Sequence, residues 1–279
     1  MIATSRKNGF TLIELSIVLV IVGILIGGIL VARSMIESAE NNKFITQLQQ
    51  YSVAIDMFKS SYKELPGDSR IYNSTGNNDG VIEYCSSCSS TFVAEGINVW
   101  HDLSAAGMLA TQYNEAADWD DINPGVTVPE FKFGSATGIF RVGQVMGTST
   151  VWDGTTVDFY SNSKIGAGYQ INDMFIQFGR ICNLDVWPYN RLMCQIMTPL
   201  RAKAIDMKMD DGMPNTGELA ALVPYPDPDP GWPETSGGMW ATCIGEGYSA
   251  SSYAASTDYL IDTTKDACAL AMKINYRAF

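Results

Sequence analysis

The run from Phe10 to Ala32 limits this chain more than any other feature. Its 23 residues include only three polar ones, Thr11, Glu14 and Ser16. As a helix rising about 1.5 Å per residue it is about 34 Å long, enough to cross a hydrocarbon core of about 30 Å. A secretory signal peptide also begins with basic residues such as Arg6 and Lys7. Its apolar core is only about 7–15 residues, however, and an A-x-A-like site follows it. Here the run is longer and no such site follows. A carboxylate inside a membrane helix costs about 2.5–3.5 kcal/mol at the centre and less near an end, so Glu14 calls for a partner.

Arg6 and Lys7 lie beyond Gly9. A cut between Gly9 and Phe10 would place a new α-amino cation at the helix start, one turn from Glu14. The macrodipole also favours a carboxylate there. The string Lys7-Asn8-Gly9-Phe10-Thr11-Leu12-Ile13-Glu14-Leu15 resembles the class III signal of type IV pilins and type II secretion pseudopilins. The resemblance covers residues 6 to about 32. It implies that prepilin peptidase cuts after Gly9 and methylates Phe10. It also implies that Glu14 offers its charge to the N-terminal amine of a neighbouring subunit in a helical homo- or hetero-filament. The implied location is the bacterial inner membrane, single-pass, with the globular part in the periplasm, and then an extracellular pilus or a periplasmic pseudopilus.

Helical spacing continues beyond the apolar run. Phe44, Leu48, Tyr51, Ile55, Phe58, Tyr62 and Leu65 recur at alternating steps of four and three, which makes an amphipathic stripe. Pro66-Gly67 ends it. The expected division is a leader over 1–9, a long helix over 10–65 that spans the membrane over 10–32, and a globular domain over 66–279. Gly23, Gly27 and Gly28 weaken the apolar half by about 1 kcal/mol each relative to alanine and permit close helix approach. No proline interrupts the helix between Phe10 and Leu65, so any melting of it in a filament is expected at these glycines.

The remainder reads as α+β, a pilin-like long helix packed on an antiparallel sheet. Glu95 to Leu109 reads as a short helix using Trp100, Leu103 and Met108 and stopping near Gly107. Val126–Val128, Phe131–Phe133, Ile139–Val142, Val157–Phe159 and Met174–Phe178 are short, β-rich and separated by turn residues, as strands are. Thr198-Pro199 is an N-cap followed by proline at the first helical position, opening a helix to about Met209. Met272, Ile274 and Tyr276 alternate with Lys273, Asn275 and Arg277, the pattern of a half-buried terminal strand. Residues 224–234 hold five prolines in eleven positions and read as an extended loop carrying Tyr225 and Trp232.

Three stretches resemble segments recurrent in a group of bacterial prepilin-type proteins. They are Leu65–Asp68, Trp100–Gly107 and Ala204–Gly217. In the last, Asp206, Asp210, Asp211 and Glu218 are the candidates for a calcium site, because hard oxygen ligands suit that ion. A helix end followed by turns is the plainer reading of the same residues. Calcium is the only cofactor the sequence suggests.

Six cysteines, Cys85, Cys88, Cys182, Cys194, Cys243 and Cys268, all follow the apolar run and so lie where a prepilin would form disulfides. Fifteen pairings exist. Short loops favour 85–88, 182–194 and 243–268. Zinc at Cys85-Ser-Ser-Cys88 would need two more ligands, from the lone His101 or the scattered cysteines. Redox catalysis places such a pair at a helix start, whereas these flanks are serine-rich. A structural bridge fits better.

The formal net charge is −12, and removal of residues 1–9 leaves 16 basic against 30 acidic side chains, or −14. Broad nucleic-acid binding, which depends on Lys and Arg, is not expected. One histidine and no G-x-S-x-G, P-loop or H-E-x-x-H string leave no catalytic constellation. The expected function is structural, with a tip-located adhesin or substrate-binding module as the alternative.

Overall fold

A computed structural model describes residues 11–82, 95–117, 121–144, 157–158, 163–165, 174–183, 191–214, 216–224, 243, 259, 261 and 268–274. The chain forms two compact units, Met1–Lys43 and Phe44–Phe279. Helix α1, Leu12–Tyr62, contributes to both.

In the first unit the apolar side chains from Leu12 to Ile36 are exposed. Among the described residues, α1 is the one helix long and apolar enough to cross a membrane. Hydrophobic residues surround the axis, so no face is left polar enough to prefer water.

In the second unit the stripe on α1 is core. Phe44, Leu48, Tyr51, Ile55 and Phe58 are buried, and Tyr62 packs on the core's edge. Phe44 is the centre of an aromatic cluster, with ring centroids 4.9–5.5 Å from Phe131, Phe133, Phe140 and Phe178. The helix ends at Tyr62, inside the 10–65 segment. Lys63 takes the left-handed conformation (φ 62°) and its N–H bonds back to the Lys59 carbonyl at 2.9 Å. The stop therefore precedes Pro66-Gly67 by a few residues.

Helix α2, Glu95–Ala105, brings Trp100 to Tyr51 at 4.9 Å between ring centroids. Its end is a Schellman closure: Gly107 (φ 72°) donates to Ser104 at 3.0 Å, and Met108 to Leu103 at 2.9 Å. The expected stop at Gly107 is thus a left-handed C′ glycine.

The sheet contains β1 (Glu130–Phe133), β2 (Ala136–Gln144), β3 (Val157–Asp158), β4 (Ser163–Ile165), β5 (Met174–Asn183), β6 (Arg191–Cys194), β7 (Leu219–Pro224) and β8 (Ala269–Ile274). Its order is β1-β2-β5-β8-β7-β4-β3, with β6 paired to the far end of β5. Every ladder is antiparallel. Phe140 stands opposite Phe178 on the α1 side. Next to them, Arg141 stands opposite Gln177 and donates to its Oε1 from Nε at 3.1 Å and Nη2 at 2.6 Å. Both are buried, so both sheet faces are covered here.

One strand expectation needs correction. Val126–Val128 is a turn and not a strand. The N–H groups of Val126, Thr127 and Val128 converge on the Asn123 carbonyl at 3.0–3.4 Å, and only an isolated bridge, Pro124 with Val128, remains. Pro129 follows at once and removes a ladder donor. Strand β8 keeps the expected alternation where it is described, with Met272 and Ile274 buried and Lys273 partly exposed. It begins earlier than expected, at Ala269, and its first residues are all buried because it runs between β5 and β7. Helix α3, Pro199–Met209, begins as expected, with Thr198 Oγ1 accepting from the Arg201 N–H at 3.3 Å.

Candidate functional sites

Gly9 and Phe10 lie outside the described residues. Glu14 opens α1, and its carboxylate turns back on its own helix start. Glu14 Oε2 accepts from the Thr11 N–H at 2.8 Å and the Thr11 hydroxyl at 2.9 Å, and Thr11 Oγ1 accepts from the Glu14 N–H at 3.2 Å. This is a capping box. Thr11-Leu-Ile-Glu14 before an apolar run is its signature in the sequence, a signal hidden there by the search for a cation to pair with Glu14. Chemically, the box satisfies helix N–H groups and keeps an exposed carboxylate at the end of the apolar run, within reach of a cation brought from outside.

The acidic turn after α3 is the second site. Asp206, Asp210 and Asp211 each present a carboxylate oxygen within 4.8 Å of the others, and Glu218 is not part of that group. Five of the six oxygens already accept protein hydrogen bonds. Asp206 Oδ1 takes the Gly212 N–H at 3.2 Å and Oδ2 the Tyr259 hydroxyl at 2.7 Å. Asp210 Oδ2 takes the N–H groups of Glu218 and Leu219. Asp211 takes the Met213 N–H at 2.8 Å and the Thr216 hydroxyl at 2.5 Å. Burial pushes the Asp206 carboxyl up to about 6, against the pull of Tyr259 and the Gly212 N–H, and Asp211 and Asp210 add like-charge repulsion. The arrangement fastens the α3 end to β7 and to Tyr259. Asp206 and Tyr259 are 53 residues apart, a contact that no local pattern signals.

Cys243 and Cys268 form a disulfide, with Cα atoms 5.0 Å apart. Cys268 also bonds to Met197 through the backbone at the start of β8. Cys182 and Cys194 lie on the paired strands β5 and β6, opposite Leu192 and Arg180 respectively. Cys85, Cys88, Tyr225, Trp232 and Tyr276 lie outside the described residues.

Two of the three recurrent segments interlock. Gly67 (φ 92°) packs so close to α2 that a Cβ would strike the Glu95 carbonyl and Val99. Its N–H donates to Asp102 Oδ2 at 2.7 Å. Leu65–Asp68 and Trp100–Gly107 are thus two sides of one joint.

Residues 4–30 match the family model described as the prokaryotic N-terminal methylation motif. That motif is the signature of type IV pilins and pseudopilins. Neither a curated relative nor a solved structure matches the chain. Over residues 4–30 the chain is thus similar to prepilins. Its apolar helix and that motif together fit membrane anchoring.

Proposed function

We propose that this chain is a structural filament subunit. Prepilin peptidase cuts it after Gly9, methylates Phe10, and the mature chain polymerises with like subunits into a type IV pilus or a type II secretion pseudopilus. The globular part faces the periplasm until assembly. The observation that carries this reading is the methylation motif on a helix whose apolar half is exposed on all sides. In this reading Glu14 exchanges its Thr11 partners for the α-amino group of a neighbouring Phe10. Mass spectrometry of the N-terminal peptide from native membranes tests it. A methylated terminus at Phe10 is the expected result, and an intact Met1 or a terminus near residue 40 would end the filament reading.

A tip-located minor subunit that binds a surface or a secreted substrate is the second reading. Low copy number in purified filaments would support it, and bulk abundance would make the chain the major subunit. No enzymatic role is proposed. Calcium at Asp206, Asp210 and Asp211 is proposed only as an alternative to the plain turn. A melting temperature unchanged by calcium would remove the ion.

A further inference from the structure

The Leu65–Gly80 loop leads away from α1, and both its ends hang on buried carboxylates. Asp68 and Asp102 have no exposed surface. Asp102, on α2, accepts the Gly67 N–H at 2.7 Å and the Asn73 amide at 2.9 and 2.8 Å. Asn73 in turn donates to the Gly67 carbonyl at 3.1 Å, and its Oδ1 accepts the N–H groups of Thr75 and Gly76 at 3.0 and 2.7 Å. Asp68 accepts the N–H groups of Asp79 and Gly80 at 3.3 and 2.8 Å.

The surroundings of this seam are acidic. Among the described residues no Lys or Arg lies within ion-pair reach of either carboxylate. Asp102 faces Tyr72 and His101. The Nδ1 of His101 is 3.6 Å from Asp102 Oδ1, buried and without a hydrogen-bond partner. Asp68 faces Asp79, a like charge. Glu64 binds the Ser69 hydroxyl, and Glu115 binds the N–H and hydroxyl of Ser74. Glu95, buried in the first turn of α2, presents its carbonyl to Gly67. Among the described residues, the Asp68 and Asp102 carboxyls are thus taken from water with neutral donors and one histidine beside them.

We infer that protons stiffen the Leu65–Gly80 loop, because closing it shuts the Asp102 and Asp68 carboxyls away from water with no Lys or Arg beside them among the described residues. Burial pushes the Asp102 carboxyl up to about 6, although Asn73, the Gly67 N–H and His101 pull it down. Burial also raises Asp68, with its backbone donors opposing. Opening the loop wets both groups and returns them toward an ordinary value of about 3.9. Between about pH 4 and 6 the closed state therefore binds more protons than the open one. By linkage, closure gains as pH falls through that window and loses the gain as pH rises above it.

Amide hydrogen exchange on the full chain in detergent micelles tests this, with rates corrected for the intrinsic pH dependence of exchange. The Gly67 amide reports on Asp102 and the Gly80 amide on Asp68. The opening equilibrium at Gly67 is expected to fall about tenfold from pH 7.5 to 5, with a smaller fall at Gly80. Asp102→Asn should flatten the Gly67 profile and leave that of Gly80, and Asp68→Asn should do the converse. If Asp102→Asn does not fold, carbon NMR titration of the wild-type Asp102 carboxyl replaces it, with a midpoint expected above the usual aspartate range. The inference is overturned by opening that is unchanged or greater in acid, by a profile that survives the matching substitution, or by a midpoint in the ordinary range.

Discussion

The two halves of α1 share one backbone and differ in where their apolar residues point. From Leu12 to Ile36 they surround the axis and are exposed; from Phe44 to Tyr62 most form a stripe that belongs to the core, with Val53 and Met57 exposed outside it. Large hydrophobic side chains fill 17 of 25 positions in the first stretch and 9 of 19 in the second, and their angular distribution differs as well. A helix apolar on all sides seeks lipid or other helices, whereas one apolar on a single side seeks a sheet.

Substitutions in either half can break or sharpen that contrast. The largest effect is expected from Glu14→Ala, which should abolish filament assembly while leaving the melting temperature of the second unit unchanged. Normal filaments from this variant, seen by electron microscopy, would remove Glu14 from assembly. Next, Phe44→Ala should destabilise the second unit by about 3–5 kcal/mol, because the ring lies within an aromatic cluster. Ile24→Ala, in the exposed half, should change it by less than about 0.5 kcal/mol. Urea melts of both variants in detergent would show whether the halves really differ. Tyr259→Phe should cost about 1–3 kcal/mol by leaving the buried Asp206 without its hydroxyl donor. Thr198→Ala should cost about 1 kcal/mol through loss of the α3 cap. The glycine region sharpens the contrast last: in assembled filaments residues 23–28 should exchange amide hydrogens faster than residues 44–58, and equal protection would place any melting elsewhere.

What the sequence made legible follows the range of the signals. The three helices were readable because their signals are local: the stripe from Phe44 to Tyr62, the glycine at 107, and the Thr198-Pro199 start. Strands β1, β2, β5 and β8 were readable from clusters of β-branched and aromatic residues. Strands β6 and β7 were not. Arg191-Leu-Met-Cys has no alternation, and Leu219-Ala-Ala-Leu-Val-Pro runs directly into a proline-rich stretch. Strand β7 gains its identity from β8, about fifty residues later. The failed strand at Val126–Val128 had the right composition, but Asn123 captured its donors. In the candidate sites, Asp206, Asp210 and Asp211 were found together, yet Tyr259 and the Gly67–Asp102 joint were invisible because each links residues 35 or more positions apart.

The place of β8 has a consequence for the order of events in the cell. This strand lies between β5 and β7, so the two halves of the described sheet cannot join until the chain has been made as far as Ile274. Until then β5 and β7 each lack the neighbour that closes the ladder on that side. Completion of the sheet thus waits on one of the last described segments of the chain.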